Sequence, residues 1–287
     1  MIAFLARHGL HHELAPHEVP SRANIAALRK LGARCVVAFS AVGSLREEVK
    51  PRDFLVPDQV IDRTKGIRPF TYFEGGVVSH VPFADPFDDK LRDVVIKAVH
   101  GKGVLEGEDC KIHDKGILVC MGTRTSPSIT PSSTCSSTYY SHSILTLGGS
   151  TVEGPQFSTR AESHLYRSWS ASVINMSCLP EAKLAREAEL SYAMICMSTD
   201  YDSWHSTHED VTVEMVMGHM RANAENAGRV VLAVIDEVGK EVESGEEAGI
   251  LSGQKWKGLA VGGLSTGHAG RGKEAVERLK WLFPENF

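Results

Sequence analysis

The sequence predicts an α/β protein in which one layered sheet is covered by helices on both faces. Apolar runs typical of strands alternate with segments of helical periodicity along the chain. Two of these runs, residues 35–39 and 193–197, are apolar without alternation, which is typical of strands buried on both faces. No internal repeat and no clean linker divides the 287 residues. We therefore expect a single domain over residues 1–287.

In the first half of the chain, residues 2–6 form a short apolar run that predicts a buried strand. Residues 21–31 have apolar positions at helical spacing, Ser21 as a plausible N-cap and a glycine just after the end. The β-branched run at 35–39 predicts the next strand. Further predicted elements are strands at 53–61 and 76–81, and a helix at 88–99 that ends near Gly101.

The second half continues the alternation of strands and helices. Residues 173–176 and 193–197 predict buried strands, and the good helix formers at 181–189 predict a helix between them. Periodic apolar positions predict a long helix at 210–232 and a closing helix at 272–283.

Composition and charge limit the classes of function. Hydrophobic residues make up 42% of the chain and charged residues 23%, and the net charge is −5. That charge gives no electrostatic reason to expect binding to nucleic acid or to an anionic membrane. The six cysteines form no Cys-x-x-Cys pair, and no apolar run approaches the roughly 18 residues of a membrane span. No secretory signal is evident, so we expect a soluble protein of a reducing, intracellular compartment.

One segment, residues 122–152, does not fit this pattern. It is rich in Ser, Thr and Pro and contains no Asp, Glu or Lys, as in a low-complexity insertion. Its removal would join Met121 to Glu153. One hypothesis is a retained intron, whose boundaries could fall in frame within the codons of Gly122 and Glu153. A genuine surface loop is the alternative, because long loops cost little entropy.

Three groups of residues carry plausible chemistry. Arg7 and His8 follow a predicted strand, where open α/β sheets bind ligands, and arginine suits oxyanions. Ser177 follows another strand and precedes a helix, as a phosphate-binding hydroxyl can. Asp200 and Asp202 follow the buried run at 193–197, where two carboxylates are costly unless they are hydrogen-bonded or functional. If the site bound a purine, one could accept from its amino group while the other, protonated, donates to a ring nitrogen. The alternatives are a surface ion pair, a helix cap and turn residues, respectively.

Several motifs in the same order resemble the methylthioadenosine phosphorylase branch of the trimeric purine-nucleoside phosphorylase family. The resemblance extends from residue 2 to about residue 227. Its motifs are LARHG at 5–9, SAVGSLRE at 40–47, DQVIDRT at 58–64, EGPQFSTRAES at 153–163, VINMS at 173–177 and the stretch from 193 to TDYD at 199–202. The resemblance implies a nucleoside phosphorylase-like fold and reversible phosphorolysis of methylthioadenosine to adenine and 5-methylthioribose 1-phosphate.

The resemblance also implies a role for each matching residue. Phosphate would be held by Arg7, His8, Ser40 and Ser177. Asp200 would protonate N7 of the leaving adenine, and Asp202 and Ser158 would help to bind the base edge. The ribose and the rest of the nucleoside would be bound by Ala41, Met176, Phe157, and by Val213 and Val216 around the methylthio group.

At the level of the whole molecule, the resemblance implies a homotrimer in which His80 reaches a neighbouring subunit's site. Inorganic phosphate would be a co-substrate, with no cofactor and no metal. The implied role is purine and methionine salvage in the cytoplasm, with the nucleus as a second location.

The chain also departs from the family pattern. Family members begin with a strand and a Gly-rich loop that cradles phosphate, and this sequence starts after that region, so we expect an N-terminally truncated domain. Two alternatives to an active phosphorylase of strict specificity stay open. One is a catalytically inactive fragment that only associates with other subunits. The other is a purine nucleoside phosphorylase of broader 5′ specificity.

Two further motifs are set aside. His8, His11, His12 and His17 have poor spacing for a metal site and no converging cysteines or carboxylates. The sequence GHAGRGK at 267–273 fits a P-loop pattern formally, but Glu274 replaces the Ser or Thr that would hold magnesium.

Overall fold

The computed structural model describes residues 2–66, 68–101, 104–105, 110–122, 156–205, 211–243 and 255–287. The insertion proposed at 122–152 lies outside these ranges, apart from Gly122. None of the helices described in those ranges combines the length and the apolar composition needed to cross a membrane.

The predicted α/β class is confirmed, and the strands of the described residues form one seven-stranded sheet. The strands are β1 Cys35–Ser44, β2 Phe54–Leu55, β3 Gln59–Arg63, β4 Ile112–His113, β5 Ile117–Met121, β6 Val173–Asn175 and β7 Ser191–Asp200. The helices are α1 Ser21–Lys30, α2 Asp89–Val99, α3 Arg160–Ser168, α4 Cys178–Glu187, α5 Val213–Ala222, α6 Ala224–Glu243, α7 Leu259–Gly262 and α8 Lys273–Leu282. The strand order is β3-β5-β6-β1-β7-β2-β4, which places β1 and β7 near its centre.

The sheet is buried on both faces, as the unbroken apolar runs predict. Along β7, Tyr192 and Met194 belong to a core with α1 and α4, whereas Ala193 and Ile195 belong to a second core with α2 and α6. Successive side chains of a strand point to opposite faces, so an apolar residue at every position is needed where both faces are covered.

Two predicted strands are wrong. Residues 2–6 form no strand, and the side chains of Ile2 and Phe4 are 60% and 78% exposed. Residues 76–81 contribute only an isolated bridge between Ser79 and Leu264. Apolar composition alone does not make a strand, because a strand also needs a neighbouring backbone with which to form hydrogen bonds.

Two predicted elements are each divided into two. The strand expected at 53–61 becomes β2 and β3, which lie near opposite ends of the sheet. Pro57 stands between them and has no N–H group for a strand ladder. The helix expected at 210–232 becomes α5 and α6, which are separated at Asn223. The buried side chain of Asn223 donates a hydrogen bond of 2.7 Å to the carbonyl oxygen of Arg52, which fixes the break.

The other predicted helices are present with small changes at their ends. Ser21 is the first residue of α1 rather than its cap, and Pro20 occupies the cap position without a side-chain hydrogen bond. Asp88 caps α2 by accepting from the amide of Leu91. Strands β4 and β5 and helix α3 were not predicted, although Thr159 and Glu162 form the capping box whose T-x-x-E spacing is visible in the sequence.

Candidate active site

The candidate site lies where β1 and β7 end side by side. These strands are parallel, and their register pairs Ser40 with Cys196, and Gly43 with Asp200 after a β-bulge. The adjacent β6 is antiparallel to β1 and pairs Ile174 with Gly43. This arrangement brings the motifs at 40–47, 173–177 and 199–202 together from distant parts of the sequence.

Asp200 and Asp202 form a buried pair at the end of β7, with 5% and 7% exposure. The backbone amide of Asp202 donates a 2.8 Å hydrogen bond to Oδ1 of Asp200, and Thr199 Oγ1 donates one of 2.8 Å to Oδ2. The first contact is a turn interaction typical of aspartate, so the turn interpretation is correct for the backbone. However, Oδ2 of Asp202 has no hydrogen-bond partner in the described part of the chain. A buried unpaired carboxylate oxygen is costly unless a ligand satisfies it.

Both aspartates have a raised pKa. Burial raises the pKa of Asp200 above its ordinary value, against the opposing hydrogen bonds from Thr199 and the Asp202 amide. Burial is also the largest cause for Asp202, and with the repulsion from Asp200 it raises the pKa to about 6, although the hydroxyls of Ser163 and Ser158 favour the charged form. Carboxyl groups in such surroundings can hold a proton near neutral pH and donate it.

Arg7 belongs to the second cluster, by which we mean the predicted phosphate ligands Arg7, His8, Ser40 and Ser177. Its guanidinium is held from two sides. Nη1 donates a 2.8 Å hydrogen bond to Oε1 of Glu181, and Nη2 donates to the carbonyl oxygen of Phe39, the residue before Ser40. The Arg7 side chain is 15% exposed and that of Glu181 is 6% exposed. The alternative of a surface ion pair is therefore wrong, because this pair is largely buried.

His8 shares this region with Arg7. Its Nδ1 lies 2.8 Å from the carbonyl oxygen of Leu14, which can only accept, so Nδ1 carries a hydrogen and Nε2 is left for another partner. Burial lowers the pKa of His8, and the positive charge of Arg7 acts in the same direction. A neutral His8 would therefore present Nε2 as an acceptor.

Asn175 joins Ser40 to the loop before α4. Its Nδ2 donates a 3.0 Å hydrogen bond to Ser40 Oγ, and both side chains are buried. Ser177 follows two residues later and makes no capping hydrogen bond with its side chain, so the alternative of a simple helix cap is not supported. Arg68 fixes this loop by donating 2.6 Å and 2.8 Å hydrogen bonds to the carbonyl oxygens of Met176 and Leu179.

Ser40, one of the predicted phosphate ligands, and Gly43, the strand partner of Asp200, lie three residues apart on β1. Three residues of extended strand span about 10 Å. Ala41 and the half-buried Met176 lie on the segments between the clusters.

The remaining predicted residues lie in different settings. Ser158 is buried and its carbonyl oxygen accepts a 2.6 Å hydrogen bond from Ser203, whereas Phe157 is 38% exposed. Helix α5 packs against β7, with Val216 half-buried and Val213 62% exposed. His80 is exposed, and its amide donates to Gly263 in another part of the molecule. The proposed roles of these residues stay predictions.

Several residues of the site were not predicted from the sequence. Asn175 is a polar residue inside an apolar run, and that position could have indicated a buried hydrogen bond. Glu181 and Ser163 gave no comparable signal. Within the described residues, no group of three or more His, Cys, Asp or Glu side chains is arranged to hold a metal ion.

Comparisons with known proteins show the family of the chain. The sequence profile of the phosphorylase superfamily matches residues 2–131 and 150–236. An S-methyl-5′-thioadenosine phosphorylase of Emericella nidulans is 58% identical over 286 residues, which cover all of this chain and 70% of the relative.

Two solved structures are similar in fold. A methylthioadenosine phosphorylase from an antarctic soil metagenomic library has a TM-score of 0.75 and 37% identity, covering 98% of this chain and 82% of the other. A double mutant of the adenosine/methylthioadenosine phosphorylase of Schistosoma mansoni, in complex with adenine, has a TM-score of 0.70 and 30% identity. The match covers 90% of this chain and 83% of the other. The chain belongs to the phosphorylase superfamily and, within it, to the family of S-methyl-5′-thioadenosine phosphorylases.

Proposed function

We propose that this chain is a pentosyltransferase that cleaves S-methyl-5′-thioadenosine with inorganic phosphate, releasing adenine and 5-methylthioribose 1-phosphate. The observation that carries this proposal is the pair of buried aspartates at the end of β7, beside the strand β1 that also carries Ser40. The high identity to named methylthioadenosine phosphorylases supports the choice of substrate.

The cluster of Arg7, His8, Ser40 and Ser177 would hold the phosphate nucleophile. Arg7 supplies a permanent positive charge, and the Ser177 hydroxyl can donate to a phosphate oxygen. The Ser40 hydroxyl donates to the carbonyl oxygen of Ala41 in this structure and would turn toward phosphate on binding. Neutral His8 can accept the proton of hydrogen phosphate at Nε2, because Leu14 already occupies Nδ1. Together these contacts would hold an anionic oxygen close to C1′ of the substrate, where positioning can contribute about 7–11 kcal/mol.

The aspartate pair would act on the leaving base. Cleavage of a ribosyl bond develops positive charge on the sugar and negative charge on the base. A protonated Asp200 would donate to N7 of adenine as the ribosyl bond breaks. General acid catalysis of this kind makes bond cleavage about 10²–10⁴-fold faster. Asp202 Oδ2, which lacks a partner in the described residues, would accept from the exocyclic amino group, with Ser158 beside it.

The wider roles belong to the same proposal. We expect the chain to act in purine and methionine salvage as a homotrimer, with His80 extending toward a neighbouring subunit. It would need no cofactor and no metal, and it would act in the cytoplasm and also in the nucleus. Methylthioadenosine and phosphate would be its small-molecule partners.

A second candidate function is phosphorolysis of adenosine itself. The solved relative from Schistosoma mansoni is named for both adenosine and methylthioadenosine. Val213 is expected near the 5′ group of the substrate and is 62% exposed. Within this single chain, the 5′ group would therefore not be enclosed in a fully apolar slot at Val213. A free 5′-hydroxyl would then be tolerated better than in a closed pocket.

The test is release of adenine from methylthioadenosine by the purified 287-residue chain, with and without phosphate. Release that requires phosphate is the expected result, and adenosine is assayed in parallel to compare kcat/KM. Release without phosphate would indicate a hydrolase instead. No release under either condition would favour the alternative of an inactive chain that only associates with other subunits, which mixing with an active relative would reveal.

A further inference from the structure

Glu181 and Tyr192 lie directly behind Arg7 and form a buried network with it. Oε1 of Glu181 accepts a 2.8 Å hydrogen bond from Arg7 Nη1 and another of 2.8 Å from the hydroxyl of Tyr192. Glu181 is 5% exposed and Tyr192 is 2% exposed. A single carboxylate oxygen in the core therefore accepts one hydrogen bond from a cationic donor and one from a neutral donor.

This network fixes the direction of the Arg7 guanidinium. One terminal nitrogen is bound to Glu181 on α4, and the other donates to the carbonyl oxygen of Phe39 on β1. A guanidinium has five N–H donors in a rigid plane, so two fixed contacts determine where the others point. Burial is the largest effect and lowers the pKa of Arg7, but the attractions to neighbouring groups, with Glu181 first among them, together outweigh burial and leave the pKa raised.

The location of Glu181 connects it with a second predicted phosphate ligand. It lies in the first turn of α4, four residues after Ser177. Phe39, the other anchor of Arg7, directly precedes Ser40. The residues that hold Arg7 are thus close in the chain to the two hydroxyls, although the backbone at Leu179, between Ser177 and Glu181, is not helical.

We infer that Glu181, held in place by Tyr192, is a positioning residue that orients Arg7 toward the phosphate co-substrate. This inference rests on the proposed function and adds a residue pair that would act through Arg7 without contacting phosphate. A role in stability alone is a weaker explanation, because a buried ion pair adds little net stability compared with apolar residues of the same volume.

The decisive variants are Glu181→Gln and Tyr192→Phe. The first keeps the size of the side chain but removes its charge, and the second removes one hydroxyl. Loss of a hydrogen bond to a charged group corresponds to roughly a tenfold change in binding. We expect KM for phosphate to rise about tenfold in Glu181→Gln and less in Tyr192→Phe, whereas KM for methylthioadenosine and kcat at saturating phosphate change less than about twofold.

Matched controls exist in the same region. Glu187 is a buried glutamate of α4 that accepts from Thr71 and Tyr72 instead of Arg7. Tyr72 donates its hydroxyl to the carbonyl oxygen of Arg22. Glu187→Gln and Tyr72→Phe should lower the melting temperature without a selective change in KM for phosphate. If these controls raised KM for phosphate as much as Glu181→Gln does, the positioning role would be excluded.

A double-mutant cycle tests whether Glu181 acts through Arg7. We expect Glu181→Gln to have almost no further effect on phosphate binding once Arg7→Gln is present. Equal effects of Glu181→Gln in both backgrounds would overturn the inference. If Arg7→Gln alone does not fold, because it leaves a buried carboxylate without its cation, the comparison with the two controls decides the question.

Calorimetric titration of each variant with inorganic phosphate separates this inference from the proposed function. A wild-type chain that binds phosphate without releasing adenine would refute the proposed activity, while weaker phosphate binding by Glu181→Gln would still support the positioning role. An active wild-type chain whose Glu181→Gln variant binds phosphate with unchanged affinity would refute only the positioning role.

Discussion

The backbone amide of Asp202 donates a 2.8 Å hydrogen bond to Oδ1 of Asp200, so the two carboxyl groups of the candidate site are held in one rigid turn. Thr199 Oγ1 lies 2.8 Å from Oδ2 of the same carboxyl group and 3.2 Å from the carbonyl oxygen of Val42 on β1, so these two acceptors share its single hydrogen. Asp200 is therefore anchored to the centre of the sheet, while Oδ2 of Asp202 keeps its hydrogen-bonding capacity for a ligand. This difference between the two carboxyl groups supports different roles for them.

Replacement of Asp200 by Asn should reduce catalysis much more than binding. Asparagine keeps the shape of the side chain but has no acidic proton to transfer. We expect kcat to fall about 10²–10⁴-fold, with KM for methylthioadenosine changed only a few-fold. Steady-state kinetics with methylthioadenosine check this, with Asp53→Asn as a control because Asp53 is equally buried and accepts from the amides of Lys50 and Lys111. An unchanged kcat in Asp200→Asn would exclude Asp200 as the acid.

The raised pKa of Asp202 predicts a cost in stability that appears as the pH rises. The pKa is about 6 in the folded chain and near 3.8 without burial. Well below pH 3.8 the group is protonated in both states and contributes nothing. As the pH rises from 4 to 6, only the unfolded chain releases its proton readily, so the folded state loses stability by up to about 3 kcal/mol.

The variant Asp202→Asn removes this pH-dependent cost. The free energies of unfolding of the variant and the wild type are measured in urea. The advantage of the variant should therefore increase from pH 4 to pH 6 and stay constant above pH 7. The same variant should lose affinity for adenine. A difference between the two proteins that does not vary with pH would show that Asp202 is already ionised in the folded chain at pH 4.

Gly43 should be intolerant of any side chain because of its closeness to the aspartates. A Cβ atom at this position would lie 3.0 Å from Asp200 Oδ1, 3.2 Å from Ile174 Cγ2 and 3.3 Å from Asp202 Cβ. These neighbours must move by a few tenths of an ångström, and small displacements of a catalytic group reduce the rate strongly. We expect Gly43→Ala to lower kcat/KM at least tenfold.

The control for this variant is Gly228→Ala, since Gly228 lies on α6 and a methyl group added there would meet no atom within 4 Å. It should leave the kinetics unchanged and raise stability by up to about 1 kcal/mol, because alanine favours helix. Wild-type kinetics in Gly43→Ala would mean that the turn of Asp200 and Asp202 is more adaptable than its contacts indicate.

The sequence predicted the central part of the fold better than its edges. The unbroken apolar runs of β1 and β7 are direct signs of burial on both faces, and both strands are present in longer form. Residues 2–6 have the same composition but no partner strand, a condition that depends on the rest of the chain. Local patterns likewise did not reveal the break at Asn223, which is fixed by a hydrogen bond to Arg52, 171 residues away.

The candidate site was predictable where it follows family motifs, and less so where it depends on packing. Arg7, Ser40 and the aspartates lie in motifs that the sequence shares with the family. Glu181 could not be assigned from the sequence, because only the fold brings α4 against a residue 174 positions earlier. Its contact with Arg7 is a tertiary relationship between two segments with no local signature.

The 5′ specificity of the site should depend on Val216, the half-buried member of the valine pair on α5. Val216→Thr keeps the volume and adds a hydroxyl, which would favour the 5′-hydroxyl of adenosine over a thioether. We expect the ratio of kcat/KM for methylthioadenosine to that for adenosine to fall about tenfold, within the range for one group in an apolar pocket. Val213→Thr, at a position 62% exposed, should change this ratio less if the slot is formed mainly by Val216. An unchanged ratio in both variants would place the methylthio group away from α5.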